Sequence, residues 1–356
     1  MEKLWTENLR DIEPYVPGEQ SSDKNIIKLN ANENPYPPSP KALEAMKKFN
    51  IDELKKYPNA NATPLKQALA DYYNVDIKNV FVGNGSDDVI AIVFQALFNS
   101  DLPVVYPDLT YSFYPVWCRL FNIPFKTYPV DSHFRINPDD YREKNGGVVI
   151  PNPNAPTSIG EGMDFVKKIM EYNQDSVVII DEAYVDFGGV SSIPLIREYE
   201  NLLVTGTFSK SRSLAGLRIG FAIGSERLVS VLEAVKNSYN SYTVDSLSIE
   251  IGRASVLDDE YFKDTCRKIV NTRQRVTKEL RALGFRMPDS SANFLFVTHD
   301  KLSMKEMFEY LKEKKVFIRY FAVARIDNYV RITVGTDDEM DVLLKEIRGY
   351  IDYVKA

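Results

Sequence analysis

The chain reads as an α/β protein: a large domain built on a mostly parallel central sheet, followed by a smaller α+β unit. Three observations carry this. Short aliphatic runs such as Ser176–Ile180, the pattern of a strand buried on both faces, alternate with helical segments. The loops that follow those strands are rich in glycine, proline and hydroxyl residues, at the carboxyl ends where open α/β sheets bind ligands. Beyond Gly284 the alternation changes to short strands grouped around a single helix.

Size and composition agree. The 356 residues suit one large and one smaller domain, and 44% apolar with 26% charged content is that of a globular protein with a substantial core. A formal net charge of -6 argues against a nucleic-acid partner. Two cysteines, Cys118 and Cys266, suggest neither a disulfide framework nor a metal site. Only two histidines, His133 and His299, disfavour His-rich metal sites and Ser-His-Asp or Cys-His chemistry. The first ten residues interleave charges and contain no signal-peptide core, and no stretch is long and apolar enough to span a bilayer. A cytoplasmic location is expected, with no membrane or nucleic-acid partner.

In chain order, residues 1–28 are polar, and Pro14-Tyr15-Val16-Pro17-Gly18 excludes a helix interior. This segment is expected as an arm across the molecule, Tyr15 either lining a site or anchoring the arm. Leu29-Asn30-Ala31-Asn32-Glu33-Asn34-Pro35-Tyr36-Pro37-Pro38 is a structured loop tied by its amides. Helices follow over Ser39–Phe49 and Leu65–Tyr73, with Tyr57-Pro58-Asn59 opening the loop between them. Strand Val80–Val82 ends in Gly83-Asn84-Gly85-Ser86-Asp87-Asp88 and enters an apolar helix to Phe98. A helix N-terminus behind a Gly-Ser loop is an anion site; an ordinary cap by Ser86 or Asp87 is the alternative. After strand Pro103–Tyr106, Tyr111 either stacks on a planar ring or packs in the core. A helix over 113–121 and strands over 124–130 and Gly146–Ile150 lead to the proline-rich loop Pro151–Ser158, then a helix over 163–173. The buried strand ending at Ile180 exits into Asp181-Glu182-Ala183-Tyr184. A carboxylate there is costly unless paired, and a protonated ring nitrogen would pair with it; a cap or salt bridge would also do so.

Between strand Leu202–Val204 and the run Ile219–Ile223 lies Thr207-Phe208-Ser209-Lys210-Ser211-Arg212-Ser213-Leu214-Ala215-Gly216-Leu217-Arg218, a lysine among hydroxyls with an arginine eight positions on. An amine in this setting suits an anionic, carbonyl-bearing cofactor: the lysine forms a Schiff base while hydroxyls and arginine hold a phosphate. The bland alternative is a solvated basic loop. Further on, helices are expected over 225–240 and, with breaks, over about 245–283, then strands Asn293–Val297, Val316–Tyr320 and Tyr329–Val334 around helix Ser303–Lys314, and a closing helix Asp338–Val354. The expected division is an arm over 1–28, a large domain over 29–245 and a small one over 246–356. Arg319, Arg325 and Arg331 cluster in the small unit; Arg319 and Arg331, on predicted strands, either face an anionic substrate or are solvated.

Together these stretches resemble the fold-type I aminotransferases that use pyridoxal 5'-phosphate (PLP), and among them most the histidinol-phosphate aminotransferases. The resemblance rests on the L-N-A-N-E-N-P run, Tyr57-Pro58, the G-S-D-D loop, Pro107 to Tyr111, N-P-N-A-P-T, D-E-A-Y, the lysine stretch and V-R-I-T-V-G-T from Val330 to Thr336. It implies that Lys210 holds PLP and moves a proton, that Asp181 pairs with the pyridine nitrogen, that Tyr184 contacts the phenolic oxygen and that Tyr111 stacks on the ring. Ser86, Asp87, Thr207, Ser209 and Arg218 would cradle the phosphate, joined by Tyr57 from the neighbouring subunit of a homodimer. Tyr15, Asn32, Arg319 and Arg331 match substrate-pocket positions. The implied reaction is ping-pong amino transfer between L-histidinol phosphate and 2-oxoglutarate, with imidazole-acetol phosphate and glutamate as the other pair, in L-histidine biosynthesis. An aromatic amino-acid aminotransferase and a PLP-dependent decarboxylase of a phosphorylated amino acid are the nearest rivals. A non-catalytic relative keeping the fold and a nucleotide-binding enzyme are more distant. Two departures stand out: Ala155 replaces the asparagine that precedes the proline, leaving Asn154 as the neighbour to substitute for it, and Ser158 replaces the usual glycine, so the turn lacks a residue with easy positive φ.

Overall fold

The computed structural model describes residues 5–10, 12–15, 19, 21–23 and 25–355. Val16, Pro17 and Gly18 of the expected arm lie outside the described residues. In chain order the regular elements are β1 (Ile27–Lys28), α1 (Pro40–Lys48), α2 (Thr63–Tyr73), β2 (Val80–Gly83), α3 (Ser86–Leu97), β3 (Val104–Pro107), α4 (Tyr114–Leu120), β4 (Phe125–Tyr128), β5 (Gly147–Pro151), α5 (Met163–Tyr172), β6 (Val178–Asp181), β7 (Leu202–Thr207), β8 (Gly220–Gly224) and α6 (Glu226–Tyr239). Then come α7 (Ser246–Val256), α8 (Asp259–Ala282), β9 (Phe285–Arg286), β10 (Phe294–His299), α9 (Met304–Glu313), β11 (Val316–Phe317), β12 (Arg319–Tyr320), β13 (Val330–Thr333) and α10 (Asp337–Lys355).

The first sheet has seven strands in the order β2-β8-β7-β6-β5-β3-β4. Only β8 runs against its neighbours, so the sheet is mostly parallel. Its central strands are apolar on both faces because both are covered. Val148, Ile150, Val178, Ile180, Leu202 and Val204 face one core, and Val149, Ile179 and Leu203 face the other. The edge strand β4 is exposed and carries Lys126, which blunts further strand pairing. Two free cysteines are buried, Cys118 in this sheet's core and Cys266 on α8 in a separate cluster with Phe187, Phe262 and Ile269. No helix of the described residues is long and apolar enough to cross a membrane.

The second sheet, β12-β13-β10-β9, is antiparallel. Its core joins Leu295, Val297 and Ile332 to Val276 of α8, Met307 and Leu311 of α9, and Leu343 and Ile347 of α10. The strand expected over Val316–Tyr320 is split. Residues 316–317 pair with β1, whereas 319–320 turn to β13, so the chain changes partner at buried Ile318. The arm thereby joins this unit through β1, and Glu19 and Asp23 add ion pairs to Lys312 and Lys315. Further back, Tyr15 stacks on Phe113 beside the first sheet at 4.1 Å. Helix α7, placed by pattern in the small unit, packs instead with α1 and α2; Ile249, Ile251 and Val256 belong to the large sheet's core. The crossover to the small unit is made by α8.

Two turns at the carboxyl ends of the strands depend on backbone space. A Cβ on Gly220 would sit 2.4 Å from the Gly85 carbonyl carbon and 2.5 Å from the Ser86 nitrogen, so β8 can lie against the start of α3 only with glycine there. The other turn was expected to avoid positive φ because it holds Ser158. The structure instead places Ser158 at φ 67, anchored by its N–H on the Asn154 carbonyl (2.8 Å) and by its own carbonyl accepting from the Ser291 N–H (2.9 Å). Two hydrogen bonds hold a conformation that costs an L-residue about 1–2 kcal/mol, and the Ser158 hydroxyl is buried without a partner. Ser158→Gly should therefore stabilise the protein by about 1 kcal/mol after the larger unfolded-state entropy of glycine is subtracted; urea titration at neutral pH measures it.

Candidate active site

The carboxyl ends of β6 and β7, the start of α3, the 29–34 loop and the inner faces of β12 and β13 enclose one cavity of about 280 Å³. Lys210, Asp181 and Tyr184 line it, with Tyr111 and the prolines Pro151, Pro153 and Pro156 on its walls. Ser86, Asp87, Thr207, Ser209 and Arg218 close one end. Tyr15, Asn32, Arg319 and Arg331 close the other. Residues from nine separate stretches of chain thus meet in one place.

Asp181 is the last residue of β6 and only 5% exposed. Its Oδ2 accepts from the Tyr114 hydroxyl at 2.9 Å and its Oδ1 from the Thr205 hydroxyl at 3.3 Å. Burial pushes its carboxyl up to about 6, against the downward pull of these two hydroxyls and the Ala183 N–H. Neither hydroxyl neutralises the charge, so the site carries a carboxylate without a cation. The next residue, Glu182, is also buried and pushed up to about 7 by burial, but it points away from the cavity. It accepts from the Ser191 hydroxyl (2.6 Å) and the Ser192 N–H.

At the end closed by Ser86 and Arg218, Gly85 is the N-cap of α3, at φ 90, and contributes no capping side chain. The expected alternative of a Ser86 or Asp87 cap is not what forms; the first amides of the helix are left facing the cavity. Arg218, itself at φ 51, lies over Gly85 and donates to Asp87 Oδ2 at 3.0 Å. Tyr111 donates to Asp87 Oδ1 at 2.8 Å, which fixes its ring as one wall; burial, then the Asp87 charge, push its phenol up. Lys210 donates from Nζ to the Ala31 carbonyl at 3.2 Å. Tyr184 accepts at its hydroxyl from Asn32 Nδ2 at 3.0 Å, and Asn32 is itself held by Thr333 and Asn293.

At the other end, Arg331 donates to the Asn30 carbonyl (3.0 Å), and its Nε is enclosed without a partner. Phe321 lies 5.8 Å from both guanidinium carbons, those of Arg319 and Arg331. Burial lowers the Arg331 pKa, and the nearby Arg319 charge lowers it further. Among the described residues no carboxylate forms an ion pair with either arginine. Arg325, the third member of the cluster, is drawn away to Asp108 (2.6 Å) and the Val130 carbonyl (2.7 Å).

Two expected residues are not brought together with the rest. Asn154 donates from Nδ2 to the Leu109 carbonyl (2.9 Å) and accepts at Oδ1 from the Thr110 hydroxyl (3.2 Å), and it is Ala155, not Asn154, that lines the cavity. Tyr57 is 81% exposed and stacks on Tyr242 away from its own chain's cavity. Sequence reading passed over Tyr114, Thr205, Phe321 and Asn34. Thr205 carried a signal: a hydroxyl inside a strand buried on both faces needs a polar neighbour, and β7 pairs it directly with Asp181. Tyr114 carried none, since nothing local distinguishes it from its aromatic neighbours.

Residues 24–347 match the family model for aminotransferases of class I and II. The histidinol-phosphate aminotransferase of Clostridium acetobutylicum is 50% identical over 351 residues, covering 99% of this chain and 100% of the relative. That of Acinetobacter baumannii is 48% identical over 349 residues, 97% of each. The crystal structure of the Sinorhizobium meliloti histidinol-phosphate aminotransferase in complex with pyridoxal-5'-phosphate shares the fold at a TM-score of 0.82, with 24% identity over 91% of each chain. With this match running from end to end, the chain belongs to the aminotransferase class I and II family, among its histidinol-phosphate aminotransferases.

Proposed function

We propose that this cavity transfers an amino group between L-histidinol phosphate and 2-oxoglutarate, with PLP held at its centre. The carrying observation is one amine, Lys210, placed between an unpaired buried carboxylate at one side and two arginines without acidic partners at the other. The cavity fits the cofactor on its own chemistry. Asp181 lacks a cation that a protonated pyridine nitrogen supplies. The uncapped start of α3, with Arg218, Thr207 and Ser209 beside it, suits a phosphate. When bound there through Lys210, PLP supplies the electron sink for the substrate's α-carbon.

The protein's part is positioning and proton movement. Asp181, oriented by Tyr114 and Thr205, keeps the ring nitrogen protonated. Tyr111, fixed by Asp87, gives the ring a flat wall. Tyr184, oriented by Asn32, faces the ring's phenolic oxygen in place of the asparagine absent at 155. Lys210 Nζ, once released to the substrate side, moves the proton at the α-carbon. Arg319 and Arg331 take the substrate's distal anion, a phosphate on one partner and a carboxylate on the other, because a guanidinium fork fits either. Tyr15 and Asn32 close the pocket around it. An aromatic amino acid would offer these two arginines only its α-carboxylate and no distal anion, which favours the phosphorylated substrate.

A homodimer is part of the same proposal. Ile51, Leu54 and Tyr57 are exposed within one short segment and Tyr242 stacks on Tyr57, an apolar patch suited to a second copy. Lys236 Nζ pins this loop by donating to the Ala60 carbonyl at 2.9 Å. From there Tyr57 would reach the phosphate in the neighbouring subunit. Two buried thiols fit a cytoplasmic location.

Steady-state rates with glutamate as donor should favour imidazole-acetol phosphate over phenylpyruvate, and Lys210→Ala should lower kcat by about 10³-fold or more; a preference for phenylpyruvate would overturn the substrate assignment. An acid whose folded pKa lies above its unfolded one costs stability as pH rises past the unfolded value. For Asp181 that penalty grows from about pH 4, is full above about pH 6, and amounts to about 3 kcal/mol. Cofactor-free Asp181→Asn should therefore be more stable than the parent at pH 7.5 by up to about 3 kcal/mol, the gain shrinking toward pH 4 in urea titrations, while its activity collapses. Mixing Tyr57→Ala with Lys210→Ala chains under subunit exchange should restore up to about a quarter of parental activity, since each mixed dimer holds one intact site; no recovery places Tyr57 outside the partner's site.

A further inference from the structure

Both ends of Lys210 are held by one short segment that precedes it by about 180 residues in sequence, Ala31 to Asn34. Its amine donates to the Ala31 carbonyl at 3.2 Å. Its backbone carbonyl accepts from Asn34 Nδ2 at 3.0 Å, and the same nitrogen reaches the Ser211 carbonyl at 3.2 Å. The Asn34 amide is saturated: its two N–H groups serve the two carbonyls, and its Oδ1 accepts from the Tyr36 N–H at 3.0 Å. That last bond sets the orientation, because a flipped amide would turn its oxygen on two carbonyls and its nitrogen on an N–H. From the other side the Ser211 hydroxyl donates to Asp186 at 2.5 Å. The lysine backbone is thus fixed from two directions, while its amine is held by the 3.2 Å bond to the Ala31 carbonyl and by the Tyr184 ring 5.8 Å away.

This segment and the residue before it touch the rest of the machinery: the Asn30 carbonyl accepts from Arg331, and the Asn32 amide donates to the Tyr184 hydroxyl. We propose that Asn34 is a positioning residue for Lys210, fixing the backbone pivot about which the amine swings from the Ala31 carbonyl to the cofactor and the substrate's α-carbon. The inference rests on Lys210 being the cofactor-bearing lysine, as argued above. A pivot displaced by even a fraction of an ångström changes the approach of the amine to the carbon it must deprotonate, an error that costs rate rather than substrate affinity.

Asn34→Asp is the sharpest variant. It keeps the acceptor for the Tyr36 N–H and presents an oxygen, in place of a donor, to the Lys210 and Ser211 carbonyls. Asn34→Ser keeps a turn-forming hydroxyl, removes both donor bonds and carries the same readouts if the first variant does not fold. On the cofactor-loaded protein, the pH midpoint of the visible absorbance band of lysine-bound PLP should move by at least about half a unit. On the same protein kcat should fall about tenfold to a hundredfold, with KM for both substrates within about twofold. Lys210→Ala is measured alongside. If it retains the lysine-linked band, the functional reading itself fails. If it loses the band while both Asn34 variants keep the parental midpoint and kcat, the Asn34 inference alone is overturned. It is likewise overturned if activity falls only in proportion to lost cofactor occupancy, as a merely structural tie would require.

Discussion

A carboxylate at the buried end of a parallel strand has to be compensated, and much of the cavity's construction follows from how this is done at Asp181. Water is excluded there, so ionisation is opposed until a cation arrives. Tyr114 and Thr205 orient the group without neutralising it. Orienting it requires Tyr114 to be packed at the start of α4 and Thr205 to be in register with Asp181 across the sheet. On the proposed function, the burial that destabilises the cofactor-free fold above about pH 6 is what a protonated ring nitrogen would relieve.

The rest of the cavity is arranged around that point by electrostatics of opposite sign. The start of α3, uncapped because Gly85 has no side chain, offers amides at one end, and the fit of Gly220 against Gly85 brings β8 and Arg218 to it. At the other end Arg331 is held among Phe294 and Phe321, where its charge is poorly solvated. Among the described residues that line the cavity, Lys210 is the only lysine, placed between these two ends. The 30–34 loop makes this a connected device rather than a collection, since Asn30, Ala31, Asn32 and Asn34 touch Arg331, the lysine amine, the Tyr184 phenol and the lysine backbone in turn.

Much of this was legible in the sequence. The strands and helices of the large sheet follow from aliphatic runs, prolines at helix starts and glycines at ends, signals that act over a few residues. Lys210, Asp181, Ser86 and Arg218 stand out because a charged or hydroxyl residue at the end of a buried strand has no local purpose. The split of the strand at Ile318 and the attachment of α7 to α1 and α2 were not legible, because both depend on which distant surface offers the better partner. Asn154 looked like a substitute for the residue missing at Ala155; only the loop's path shows that it turns to Leu109 and Thr110 while Ala155 lines the cavity. Ser158 shows the same limit from the other side, a residue poorly suited to positive φ held there by bonds from Asn154 and Ser291.

The sequence by itself determined the fold class, the order of elements and the residue types available for chemistry, because periodicity, capping and turn preferences are local properties of the chain. Only the tertiary structure decided which polar groups are spent on one another and which remain free to meet a ligand. Hydrogen bonds act over about 3 Å, while the groups that compete for them, Asn34 and Lys210 above all, are separated by 176 residues of chain.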